Sequence, residues 1–424
     1  MNTVNAVQSL VDHLFRRESG KMVSALTRVF GPANLDLAED VVQETLLLAM
    51  QRWPFDGVPG NPAGWLYQAA KNKAIDTIRR QQTFRRFEPE LTRELQAADV
   101  SAHVLDRLFL ADEIADDALR MMFTCCHPAL TTESQITLTL KVLCGFGTAE
   151  IARALMTQEA TIDKRLYRAK RKIREERIAF EVPGGPDLSS RLQSVLAVLY
   201  LMFNEGYNSS FAEDPIRKDV CMEAMRLGQL LGEHPIGRHP MTAALMALMC
   251  FHAARFGARL DEDGHLLTMR HQDRGRWDRR LVGEGFRYLE ESASGSEASH
   301  VHLEAGIAAL HCAAETYERT NWEGIVRLYD HLMTIRPTPI VALNRAIAVG
   351  ERDGAEAGLA AIGAISDINA LEGYHLLPAA LGEMHLQLGH LEDARGFFER
   401  ASALTSSRAE RQLLQRKLAE CGSG

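Results

Sequence analysis

Seven cations stand within eleven residues of the stretch TIDKRLYRAKRKIRE (161–175): Lys164, Arg165, Arg168, Lys170, Arg171, Lys172 and Arg174. Their shared chemistry is attraction of anions, phosphate oxygens above all. Ile162, Leu166, Ala169 and Ile173 recur between them at four, three and four residues, the stripe of an α-helix. Such a run is either a solvated charged face or a surface laid against a polyanion. The preceding residues favour the second. SQITLTLKVLCGFG (134–147) reads as an apolar helix stopped at Gly145 and Gly147. TAEIARALM (148–156) reads as a second helix with Thr148 as N-cap, burying Ile151, Ala152 and Leu155. A short turn through Thr157 then leads into the basic helix. This order is that of a helix-turn-helix, with the basic helix placed in a major groove. Gln158, Glu159, Thr161, Asp163 and Lys164 are expected to face base edges. Arg165, Arg168, Arg171 and Lys172 are expected to take phosphates, which position without specifying, with Tyr167 on the same surface.

A second constellation lies nearer the N-terminus. DLAEDVVQETLLLAMQRWP (36–54) is an amphipathic helix whose first half carries Asp36, Glu39, Asp40 and Glu44. Acid near a helix start suits the macrodipole, and it also suits docking on a basic partner. A Pro- and Gly-rich loop follows, then a helix with Trp65 and Tyr67 ahead of Lys71, Lys73, Arg79 and Arg80. Aromatics beside a basic track suit single-stranded DNA, where bases stack on rings and phosphates meet cations. Trp65 alone fits a packed core equally well.

These elements sit in a chain of 424 residues, enough for two or three domains, with 46% hydrophobic residues. Net charge is −8, but it is unevenly spread: residues 1–182 hold 24 basic and 24 acidic groups, and residues 183–424 hold 24 and 32. Within the neutral part, residues 164–177 carry eight basic and two acidic groups, and residues 71–86 carry six and one. That focusing is what a nucleic-acid footprint requires. No apolar run is long enough for a membrane span, and the N-terminus lacks a signal-peptide pattern, so a cytoplasmic location is expected. The seven cysteines form no CxxC pair and are expected to be reduced core or surface thiols. Cys125-Cys126-His127 has no second ligand pair nearby, so no metal is expected.

Helical periodicity dominates throughout, and an all-α fold is expected. The boundaries are read as a helical unit at 1–83, a linker at 84–110, a helix-turn-helix unit at 111–180, a Pro/Gly linker at 181–187 and a helical extension at 188–424. Met246, Met249 and Phe251 are expected in the extension's core. Leu381, Gly382, Gly389, Ala394, Phe398 and Ala401 stand at tetratricopeptide offsets, with a weaker copy at Ala313, Ile325, Tyr329 and Pro337. VALNRAIAVGERDGAEAGLAAI (341–362) reads as another hairpin, and the repeats span about 306–408. DEDGH (261–265) reads as a turn rather than a calcium loop. Gly206 in NEGYNSS reads as a helix C-cap, with a ligand pocket around Asn204 and Glu205 as the other reading.

Three segments in this order resemble a known family. AEDVVQET (38–45), GWLYQAAKNKAIDTIRR (64–80) and GFGTAEIARALMTQEATIDKRLYRAKRKIR (145–174) resemble conserved regions 2.2, 2.3–2.4 and 4.2 of bacterial RNA polymerase sigma factors. The resemblance is to the extracytoplasmic-function (ECF) group and covers residues 10–178. It implies that Asp36, Glu39, Asp40, Gln43 and Glu44 dock on the β′ clamp helices of core polymerase, with the β flap as a further contact. It implies that the loop from Phe55 through Asn61 to Pro62 holds an extruded −10 base. Trp65, Tyr67, Lys71, Asn72, Arg79 and Arg80 would then line the opened strand, and the basic helix would read the −35 duplex. Asp163 and Glu159 depart from the pattern, since many relatives are neutral or basic there. A carboxylate at that place accepts from cytosine N4, so a familiar −35 sequence is not carried over. The chain as a whole is similar to the ECF subgroup with a C-terminal tetratricopeptide-like extension, which modulates the factor and has a protein or small molecule as its candidate partner.

Two other classes were weighed against a promoter-specificity subunit. An autonomous helix-turn-helix regulator with a sensing solenoid needs neither the acidic helix nor the aromatic-basic track. An enzyme would need a catalytic motif, and the chain has no HExxH, P-loop or nucleophile elbow, so neither catalytic residues nor a cofactor are expected.

Overall fold

The computed structural model describes residues 3–87, 111–155, 157–185, 187–207, 216–295, 298–405 and 407–422. These form helices without a strand; one isolated backbone bridge joins Leu260 and Leu266. Two units divide between Leu201 and Met202.

In the first unit α1 (Thr3–Phe30) packs along α2 (Leu35–Asp56), and α3 (Pro62–Phe87) closes against both. The chain reverses after α1 at Gly31, whose φ of 79° suits a residue without Cβ. Asn61 starts α3 by accepting from the Gly64 N–H at 3.0 Å. That helix runs past the expected boundary at 83, and most of the expected linker lies outside the described residues.

Next come α4 (Ala111–Cys125), α5 (Thr132–Val142), α6 (Thr148–Ala154) and α7 (Glu159–Glu175). Thr148 falls inside α6, not at its cap. The Glu150 carboxylate accepts from the Gly147 N–H at 2.8 Å, so the acid three residues on satisfies the orphan donor. Ile151 and Ala152 are buried and Leu155 is half-buried. Gly145 leaves α5 with φ 69°, as its stop role requires.

Helix α1 also meets this second set. A Cβ on Gly20 would lie 2.1 Å from the Leu143 carbonyl oxygen, so only glycine permits the approach. Fully buried Asp117 of α4 takes Arg28 of α1 at 3.2 Å and Arg120 at 2.6 Å. A buried carboxylate is tolerated because it is paired in this way.

Helix α8 (Asp187–Tyr207) follows. Gly206 is inside it, where a C-cap was expected: a Cβ there would lie 2.7 Å from Cys221 Sγ and 2.8 Å from the Arg217 carbonyl oxygen. Close packing, not termination, explains that glycine. The other reading, a ligand pocket in NEGYNSS (204–210), falls partly on residues 208–210, outside the described residues.

The second unit continues through α9 (Lys218–Glu233), α10 (Pro240–Ala253), α11 (Arg279–Ser292) and α12 (His300–Ala313). Met246, Met249 and Phe251 are buried along α10. Residues 261–265 form a turn, with Asp261 N–H donating to the His265 carbonyl at 2.9 Å and Gly264 at φ 80°. Then come α13 (Trp322–Ile335), α14 (Pro339–Asp353), α15 (Ala355–Gly363), α16 (Leu376–Gln387), α17 (Leu391–Leu404) and α18 (Arg408–Glu420), each packed on its neighbour in sequence. Gly354 (φ 99°) joins α14 to α15 as a hairpin. Ala394, Phe398 and Ala401 are buried, and Gly382 makes room for the Phe398 ring, whose atoms would be 2.8 Å from an added Cβ. In the weaker copy Ile325 is buried, but Ala313, the last residue of α12, and Pro337, between α13 and α14, are exposed.

Candidate nucleic-acid interface

Helix α7 buries its whole apolar stripe, Ile162, Leu166, Ala169 and Ile173. Each fully buried large aliphatic contributes roughly 1.5–3 kcal/mol, which fixes which face is left outward. Gln158, Glu159, Asp163, Lys164, Tyr167 and Arg168 are exposed on that face, and Thr161 and Arg165 are half-exposed. Arg171 lies 5.9 Å from the Tyr167 ring centroid. Arg171 pairs with Glu175 at 3.3 Å and Lys172 with Glu176 at 2.7 Å, both one helical turn apart and exposed. Such pairs contribute about 0.3–0.5 kcal/mol, so they hold these cations only weakly. Arg165, Arg168, Arg171 and Lys172 line a hollow of about 610 Å³ with Thr131 and Ser134 of the α5 start; Glu133 and Glu175 line it too. The N-terminus of α5 adds its positive dipole end to those cations.

Lys170, on the same helix, points elsewhere. Its ammonium donates to Asp36 at 2.6 Å and Glu39 at 2.7 Å, and Arg174 stands 3.5 Å from Asp36. Burial works to lower the Lys170 pKa, but Glu39 and Asp36 outweigh it, and the net shift is upward. Two of the five candidate docking residues on α2 are thus engaged by the back of α7. Sequence inspection missed Lys170, since its partners lie more than 130 residues away; its one signal is that it borders the buried stripe at Ala169 and Ile173. Asp40, Gln43 and Glu44 remain exposed, with Glu44 paired to Lys73 at 2.7 Å.

On α3 and its loop, Phe55 is 87% exposed, an unusual solvent position for a large aromatic. Trp65 is half-buried with its ring edge-on to buried Trp53, centroids 5.5 Å apart. The ring thus packs against the core of the unit while part of it stays accessible. The Tyr67 hydroxyl donates to Glu18, a buried carboxylate of α1, and Asn61 is used as a cap. Asn72 accepts from Gln68 at 3.0 Å; Lys71 is half-exposed, and Arg79 and Arg80 are exposed. The loop-and-helix set lies together on α2–α3, and the base-edge and phosphate sets lie together on α7.

A small three-helix unit with an acidic face, followed by a helix-turn-helix, is the arrangement of the sigma-70 class. Residues 14–84 match sigma-70 region 2 and residues 120–173 match sigma-70 region 4. The chain belongs to the ECF RNA polymerase sigma factors: it is 35% identical over 142 residues to the ECF RNA polymerase sigma factor SigL of Mycobacterium tuberculosis, covering 32% of this chain and 72% of SigL. Residues 191–293 match a family of unknown function (DUF6596), so the C-terminal extension is present. An uncharacterized protein of Rhizobium meliloti (strain 1021) is 36% identical over 397 residues, 93% of this chain and 92% of its own length. No solved structure matches. No helix among the described residues is long and apolar enough to cross a membrane.

Proposed function

We propose that the chain is a promoter-specificity subunit that binds core RNA polymerase and starts transcription at promoters with matched −35 and −10 elements. The observation that carries this reading is the pairing, in one unit, of an outward polar and basic face on α7 with outward carboxylates on α2. Gln158, Glu159, Thr161, Asp163 and Lys164 select bases in the −35 groove; Arg165, Arg168, Arg171 and Lys172 hold phosphates around the hollow beside α5. Phe55 and Trp65 meet unpaired −10 bases, with Lys71, Arg79 and Arg80 along the strand. Asp40, Gln43 and Glu44 meet a basic polymerase surface.

Asp36 and Glu39 belong to that docking face but are held by Lys170 and Arg174. Helices α2 and α7 touch, whereas two elements separated along a promoter need the domains that meet them to stand apart. Docking therefore exchanges internal ion pairs for intermolecular ones and couples polymerase binding to opening. The acidic extension is required for that active state, so truncation after Val182 lowers transcription in vitro while changing free DNA binding little. Tighter DNA binding and more transcript from the truncated chain would make the extension an inhibitory cover instead.

The deciding experiment is transcription with purified core polymerase and fragmented genomic DNA. The expected result is discrete start sites that depend on the chain. If DNA is retained but core polymerase is neither bound nor directed, the chain is an autonomous regulator.

A further inference from the structure

We propose that His385, His390 and Asp393 form a binding site for a divalent first-row transition-metal ion such as zinc, at the turn joining α16 to α17. His385 is in the last turn of α16, His390 caps α17, and Asp393 is in the first turn of α17. The two Nδ1 atoms face each other at 3.4 Å, and His385 Nδ1 is 3.7 Å from Asp393 Oδ2. The three ligand atoms all lie within 4.8 Å of one another. A tetrahedral zinc with ligands at about 2.0–2.2 Å has ligand–ligand edges of about 3.3–3.6 Å. Two edges of such a polyhedron are therefore nearly in place, and rotation of the exposed Asp393 side chain closes the third.

The turn is fixed before any ion arrives. Gly389 takes φ 77°, the His390 N–H donates to the His385 carbonyl at 2.9 Å, and the Phe397 ring stacks on His385 with centroids 5.2 Å apart. The facing nitrogens share a hydrogen bond only when one of them carries a proton and the other does not. A metal ion accepts both lone pairs at once. Imidazole with one carboxylate suits zinc, cobalt, nickel or copper rather than calcium or magnesium. His390 and Asp393 are exposed, so a coordination position faces solvent for water or a partner's side chain. The bound ion would staple α16 to α17 and make the extension responsive to metal.

The other acidic turn, Asp261, Asp263 and His265, differs in a telling way. Asp261 Oδ1 already accepts from the backbone N–H groups of Asp263 and His265, and Oδ2 takes Arg416 at 2.8 Å. Its oxygens are spent on holding the turn.

Cobalt(II) titration of the full-length protein tests the site. The expected result is one equivalent of visible-absorbing, tetrahedral cobalt per chain, bleached by zinc. His385→Gln and His390→Gln should each bind at least about tenfold more weakly, since even outer-shell losses cost that much. His331→Gln, an exposed histidine on α13, should change nothing. Helix content by circular dichroism checks that each variant is folded. Zinc should raise Tm in the wild type and not in the double variant His385→Gln/His390→Gln. The proposal is overturned if wild type and double variant bind cobalt alike, or if the folded wild type binds none at millimolar metal. Loss of binding in Asp261→Asn alone would overturn it as well.

Discussion

Arg165, Arg168, Arg171 and Lys172 lie along one face of α7, and Lys170 and Arg174 lie on another. The first group stands at the surface beside the α5 start; the second is bound to carboxylates of α2. One basic helix thus has a face left at the surface and a face that has found internal carboxylates. The difference teaches that charge density alone does not mark a nucleic-acid contact. What separates the two faces is the neighbour: one borders a positive helix end, the other a row of acids.

The largest effect should come from reversing the remaining docking carboxylates. Asp40→Lys with Glu44→Lys is expected to abolish capture of core polymerase, a cost on the order of 2–5 kcal/mol, while helix content stays intact. Undiminished capture by the folded double variant would place the docking face elsewhere. Next is the internal contact. Lys170→Glu removes charge-assisted hydrogen bonds contributing roughly 1.5–3 kcal/mol. Fluorescence energy transfer between α2 and α7 should then fall, and polymerase affinity should rise. Gly20→Val should act in the same direction, by overpacking against Leu143. Because the Lys170 pKa is raised, its contribution is complete below about pH 10.4, the usual lysine value, and is lost only as pH rises through the higher folded value. A transfer signal that already falls between pH 6 and pH 8 would contradict that account.

Smaller effects distinguish the members of the outward face. Lys164→Ala should alter sequence preference at one base pair by about 1–3 kcal/mol in a binding selection. A uniform loss across all sequences would move Lys164 to the phosphate group. Arg165→Ala and Arg168→Ala should each weaken binding across sequences and lower the salt slope by about one. Unchanged slopes would remove them from the phosphate set.

The stripe of Ile162, Leu166, Ala169 and Ile173 was legible because helical spacing is local, and all four are buried. The hairpin through Gly389 was legible for the same reason. Thr148 lies just inside the helix it was expected to cap, where Glu150 takes the Gly147 N–H instead, and Gly206 answers to the nearness of Cys221 rather than to a helix end. Tyr67 looked like a free aromatic because its partner, Glu18, lies on another helix 49 residues away. Lys170 was hidden likewise, and the facing of His385 and His390 depends on the turn at Gly389, which spacing alone does not show. Local periodicity carried the elements, while long-range pairing decided which polar groups remained available.

All seven cysteines are buried and unbridged. Burial pushes the Cys126, Cys221 and Cys250 thiols up to about 12 and Cys312 to about 11. Thiolate, the nucleophilic form, is therefore scarce near neutral pH in both units. The native chain is therefore expected to react slowly with alkylating reagents, each buried sulfur being reached when its own packing opens. Cys125, Cys126 and Cys144 would report on the first unit, and Cys221, Cys250, Cys312 and Cys421 on the second. Labelling followed by mass spectrometry would make the cysteines seven built-in clocks of local unfolding, able to time the two units separately without any introduced probe.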